Sequence, residues 1–145
     1  MYLSGKILGW LIVTGYTLSI LDYFVKLFSR RVIMKLPKDS PVRGKYMGFM
    51  RIIVKNHRYF ALLATAALAA HLVVQYLAWG LYLTGVIAGS LLILQASLGA
   101  YGTYVKKKKS GPWLYAHRAV AVLLFLAVMF HVVTAKYNLI TIVLN

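Results

Sequence analysis

Apolar residues run through this chain in four long blocks separated by short, polar and strongly basic interruptions. The blocks cover roughly residues 7 to 28, 57 to 79, 81 to 105 and 113 to 135, and about 20 residues of helix suffice to cross a bilayer. Between Tyr59 and Val105 there is no Asp, Glu, Lys or Arg. That stretch is too long for one crossing, and Trp79-Gly80 supplies the turn that divides it. The N-terminal block lacks a small-residue cleavage site and continues past Leu21 into Phe24, Val25 and Leu27, so it reads as a retained helix and not a signal peptide. The pattern predicts an all-α fold, a transmembrane four-helix bundle, with residues 1–145 forming one membrane domain.

The interruptions carry the charge. Segment 29–56 contains Pro37, Pro41 and eight Lys or Arg and is expected to be a basic interfacial loop. Its second half, Val42 to Lys55, mixes Met, Phe and Ile with basic residues as an amphipathic surface helix would. Lys106 to Lys109 with Ser110-Gly111-Pro112 form the other connection on this side. Of the 17 Lys and Arg, 15 fall on this side and only Lys6 and Lys136 opposite. The positive-inside rule then puts both connections in the cytoplasm and both termini outside, in a bacterial or archaeal cytoplasmic membrane. Tyr2, Trp10, Tyr76, Trp79, Tyr82 and Tyr137 make one aromatic belt, and Tyr23, Tyr59, Tyr104, Trp113 and Tyr115 the other.

A net charge of +15, with Asp22 and Asp39 the only acids, would suggest a nucleic-acid partner in a soluble protein. Here 61% of residues are hydrophobic, and the charges flank apolar runs where they meet lipid headgroups. Membrane lipid is the expected partner and nucleic acid is not. The absence of cysteine excludes disulfides, thiolate metal sites, iron–sulfur clusters and covalently attached haem.

An internal repeat is visible at a shift of 60. It aligns His57-Arg58 with His117-Arg118, Ala61 with Ala121, Leu63 with Leu123, Ala67 with Ala127, His71 with His131 and Val73 with Val133, seven identities in 17 positions. The first and third blocks match more weakly at a shift of 70, through Leu11 with Leu81, Thr14-Gly15 with Thr84-Gly85 and Leu21 with Leu91. Together these suggest two copies of a two-helix unit.

The repeat carries all four histidines, His57, His71, His117 and His131, 14 apart within each pair. On a helix, 14 steps return a side chain to within about 40° of its direction, roughly 21 Å further along the axis. The second and fourth helices run the same way, so His57 and His117 share one depth and His71 and His131 another. A haem iron takes one axial nitrogen from each side of the porphyrin. Pairs along a helix, or on a diagonal, are too far apart, which leaves His57 with His117 for an inner haem and His71 with His131 for an outer one. Zinc or copper fits poorly, because only two imidazoles meet at each level, without Cys, Asp or Glu.

Other residues fit a porphyrin site. Gly85 and Gly99 are also 14 apart, with Gly15 and Ser29 at the corresponding places on the first helix, and glycine permits close approach. Ordinary small-residue packing would use the same residues. Arg58 and Arg118 follow the inner histidines, with Lys55 nearby, and are candidates to bind haem propionates; snorkelling to headgroups is the other reading.

With these residues the chain resembles the membrane cytochromes b, above all the di-haem four-helix core of the cytochrome b subunit of quinol:cytochrome c oxidoreductases. In that family two helices carry histidines 14 apart and glycines of the other two pack on the porphyrins. His57, His71, His117 and His131 match the ligands, and Gly15, Gly85 and Gly99 the glycines; Ser29 departs at the fourth. The further helices and quinol-site motif of the large subunits are missing, so the likeness is to a minimal core, similar in scale to small cytochrome b subunits that anchor oxidoreductases. It implies a bundle enclosing two stacked b haems.

Three functions follow as expectations. The first is transmembrane electron transfer, as the subunit of an oxidoreductase, between a quinone pool or outer acceptor and a soluble or membrane redox partner at the basic face. The second adds a quinone site on the chain itself, with Asp22, the only acid within a span, exchanging the proton; Asp22 also has Lys26 one turn away as a duller partner. Gln75 and Gln95 are polar and ambiguous. The third is a non-redox anchor recruiting an acidic soluble protein. An oligomer is compatible with all three.

Overall fold

The computed structural model describes residues 2–107, 109–137 and 143–144, with side chains described for 3–107 and 109–135. Four helices dominate: α1 Tyr2–Arg31, α2 Pro41–Trp79, α3 Leu83–Ala100 and α4 Pro112–Tyr137. Each is long and apolar enough to cross a membrane, and in each no more than 17% of the apolar window is buried by protein. A soluble bundle of such helices would hide that surface. Here Leu62, Leu77, Ile93, Val122, Leu126 and Phe130 face outward, which suits lipid and not water.

The helices differ in extent from the sequence pattern. The second starts at Pro41, not near 57, so the expected loop 29–56 shrinks to Val32–Ser40, with one 3-10 turn at Ile33–Lys35. Pro41 suits a first helical position, where no N–H is required. The segment expected as a separate surface helix is instead held along α1: the Tyr46 hydroxyl donates to the Val25 carbonyl at 2.8 Å, and the Phe28 and Tyr46 rings lie 5.4 Å apart. Arg43 closes the connection by donating to the Leu36 carbonyl at 2.9 Å.

The third helix starts at Leu83, because Leu81–Tyr82 (β1) pairs antiparallel with Val143–Leu144 (β2). The expected purely helical fold thus gains a two-residue ribbon. Gly80 makes the preceding turn with φ 77°, a conformation that costs glycine little. At its other end α3 widens into a π turn, Tyr101–Val105. This turn aims Gly102 at α4, where a β-carbon would run into the Trp113 ring.

The chain divides into two compact units, Met1–Trp10 with Thr65–Asn145, and Leu11–Ala64. In the first, α3 packs along α4, with Ala67, Leu68, Ala88, Leu92, Leu124 and Thr134 buried and the Leu68 side chain beside Gly89. In the second, α1 runs against the first half of α2 and buries Ile12, Tyr16, Ser19, Val25 and Ser29, a stripe at helical spacing. Gly15 permits the closest approach there: a β-carbon would sit 2.9 Å from the Phe60 carbonyl oxygen and 3.2 Å from Ala64 Cβ.

Most belt aromatics are exposed, among them Trp10, Tyr23, Tyr59, Tyr76, Trp79, Tyr104 and Tyr115. The side chains of Tyr2, Lys136 and Tyr137, and all of Lys108, lie outside the described residues.

Candidate functional site

His71 on α2 and His131 on α4 belong to the first unit, both half-buried. His71 Nδ1 lies 3.1 Å from the main-chain carbonyl oxygen of Gly5. A carbonyl can only accept, so Nδ1 carries the proton and the lone pair resides on Nε2. His131 Nδ1 lies 3.0 Å from the hydroxyl of buried Thr84. Each ring also faces a glycine: a β-carbon at Gly85 would be 3.0 Å from His131 Cε1, and one at Gly9 would be 3.6 Å from His71 Cε1.

His117, also in the first unit, sits over Gly99, where a β-carbon would meet its Cε1 at 3.5 Å. The Gln95 amide nitrogen donates to His117 Nε2 at 3.2 Å, which again puts the lone pair on Nε2. Trp113, one turn before His117, lies against it with ring centroids 6.3 Å apart and is anchored by its own N–H to the Lys109 carbonyl at 2.9 Å.

His57 belongs to the second unit. Its Nδ1 bonds the main-chain carbonyl of Ser19 at 2.9 Å, so it too presents Nε2 as the lone-pair nitrogen. Two further candidates, Gly15 and Ser29, have α2 residues other than its histidines as neighbours. Gly15 meets Phe60 and Ala64, between the levels of the two α2 histidines. Ser29 is buried with its hydroxyl on Met47 Sδ at 3.7 Å, ten residues and so roughly 15 Å along α2 from His57. Of the α1 residues, Gly5 and Gly9 lie against His71 and Ser19 against His57.

Of the basic candidates, Arg58 is exposed and lies over the Tyr59 ring at 5.0 Å, and Lys55 and Arg118 are exposed as well. Asp22 accepts from Lys26 at 2.8 Å, and Gln75 lies against Gly5.

The donor set has a definite chemistry. His57 and His71, each tied at Nδ1 to a main-chain carbonyl, leave Nε2 free of the N–H proton, the arrangement that orients histidine metal ligands, whereas the Gln95 amide sits on the Nε2 of His117 itself. Among the described residues no three of His, Cys, Asp and Glu come together, so a zinc centre held by three or four protein ligands lacks its donors. A haem asks the protein for two, and His71 and His131 are two imidazoles of one compact unit, each bonded at Nδ1 and each lying against a glycine.

No protein-family model matches this chain, and no curated protein and no solved structure matches it.

Proposed function

We propose that this chain is a membrane electron conduit holding two noncovalent b-type haems, each between two histidines. The observation that carries the reading is the outer pair: His71 and His131, in one compact unit, are each fixed at Nδ1 by Gly5 or Thr84 and each lie against a glycine. The inner pair, His57 with His117, is carried by the equal 14-residue spacing of the sequence.

Haem supplies reversible one-electron chemistry at its iron when bound. The chain's own residues do the rest. His71 with His131, and His57 with His117, would hold the two haems, and iron held by histidines alone would supply electron transfer in preference to oxygen activation. Gly5, Thr84 and Ser19 hold ring orientation, so that little rearrangement accompanies a change of charge. Gly85 and Gly99 keep the Cε1 edges of His131 and His117 clear of a side chain. The apolar outer surface excludes water. Arg58, Arg118 and Lys55 are the cations available to propionates, and the basic connections offer a redox partner a docking face.

The test is a haem assay with a reduced-minus-oxidised spectrum on purified protein. About two haems per chain are expected, falling to about one in His131→Ala, since each site rests on its own imidazole pair. A colourless protein, purified from haem-replete cells, would overturn the reading and favour a non-redox anchor.

A further inference from the structure

A hollow of about 400 Å³ opens in the second unit between the end of α1 and the first half of α2, lined by Lys26, Met47, Met50, Arg51, Val54 and Lys55. We propose that it binds an anionic phospholipid, with the phosphate among the three cations and an acyl chain along Met47, Met50 and Val54. This inference does not rest on the haem reading, although both call on Lys55, and its test reads lipid retention and not haem content.

Charge makes the first half of the case. Lys26 is matched by Asp22 at 2.8 Å, which leaves Arg51 and Lys55 as two positive charges against no further acid in the lining. They stand four residues apart on one helix, a spacing at which like charges repel and destabilise it. An anion between them removes that repulsion, and guanidinium matches phosphate geometry.

The apolar lining makes the second half. A free phosphate gains nothing from two thioethers and an isopropyl group, whereas an acyl chain does, and methionine adapts to irregular chains. Depth agrees with both. At 39 residues α2 is roughly 58 Å long, nearly twice the hydrocarbon thickness. Its Lys and Arg all lie between Arg43 and Arg58, with none from Tyr59 to Trp79. The hollow therefore sits where the helix changes from charged to apolar, at headgroup level.

The full-length protein, purified and delipidated in detergent, can be titrated with phosphatidylglycerol and phosphatidylcholine of identical chains and read by native mass spectrometry. We expect about tenfold tighter retention of the anionic lipid, lost in Arg51→Gln/Lys55→Gln but kept in Arg30→Gln/Arg31→Gln, which removes as much charge outside the hollow. Met50→Trp, which fills the hollow and keeps the charge, should weaken retention too. Equal retention of the two lipids, loss of preference in the Arg30/Arg31 variant as well, unchanged retention in Met50→Trp, or full competition by inorganic phosphate would each overturn the proposal.

Discussion

The histidines of α2 and α4 share a spacing but not a means of support. Both α2 rings bond main-chain carbonyls, His57 to Ser19 and His71 to Gly5. Both α4 rings meet side chains, His117 with Gln95 and His131 with Thr84. A carbonyl partner is fixed by helix packing and cannot be removed by changing one side chain. A side-chain partner can be tuned or deleted. The two halves of the repeat therefore share their histidines while the surroundings differ, and the adjustable half is α3–α4.

The largest break in this comparison should come from the glycines. At Gly85 a β-carbon would press on the His131 ring at 3.0 Å, whereas at Gly9 it would reach the His71 ring at an ordinary 3.6 Å. Gly85→Leu is expected to displace His131 and reduce haem content from about two per chain to about one. Gly9→Ala should leave the content unchanged. Haem assays on both variants check this, and equal loss would show that both helix pairs are equally tight.

Removing the adjustable hydroxyl comes next. Thr84→Val keeps the shape of the residue and deletes the partner of His131 Nδ1, and loss of an outer-shell partner typically costs about 10- to 100-fold in affinity. Haem dissociation measured by transfer to apomyoglobin should quicken for one haem of the two, and Thr84→Ser should restore the slow rate. A variant in which both haems leave at the wild-type rate would mean that Gly85 packing alone holds the ring.

Gln95 sharpens the contrast within α4. Its amide occupies the lone pair of His117 that an iron would take, so it must turn aside when that nitrogen ligates. Gln95→Leu removes the competitor and a buried carbonyl oxygen that has no hydrogen-bond partner among the described residues. Inner-haem occupancy at limiting haem should rise by a smaller factor than the Thr84 effect, read by titrating haem into protein lacking it. A fall would make Gln95 a supporting residue.

The sequence made the four spans legible because lipid demands long uninterrupted apolar runs, and it made the histidines legible because a 14-residue spacing survives any detail of packing. Partner identity was not legible. Which α1 residue faces His71 depends on axial register, and in an apolar helix one small residue looks much like another: Gly9 and Gly15 differ by less than two turns. The extension of α2 was hidden for another reason, since an amphipathic stretch reads alike whether it lies on a membrane or, as at Tyr46, on a neighbouring helix. The π turn went unseen because the contact it makes, Gly102 against Trp113, is with a different helix.

The smallest expected effect concerns Asp22, the acid that a quinone site on this chain would use. Its Oδ2 is engaged by Lys26 one turn later at 2.8 Å, with the lysine side chain 42% exposed. An i,i+4 pair of this exposure is worth at most about 0.5 kcal/mol, so Asp22→Asn should scarcely alter thermal stability. If the pair is only structural, reduction of the haems by added quinol should keep its rate in Asp22→Asn. A large fall in that rate with haem content intact would give the basic end of α1 a proton-exchanging role, and would set the two halves of the repeat apart by function as well as by support.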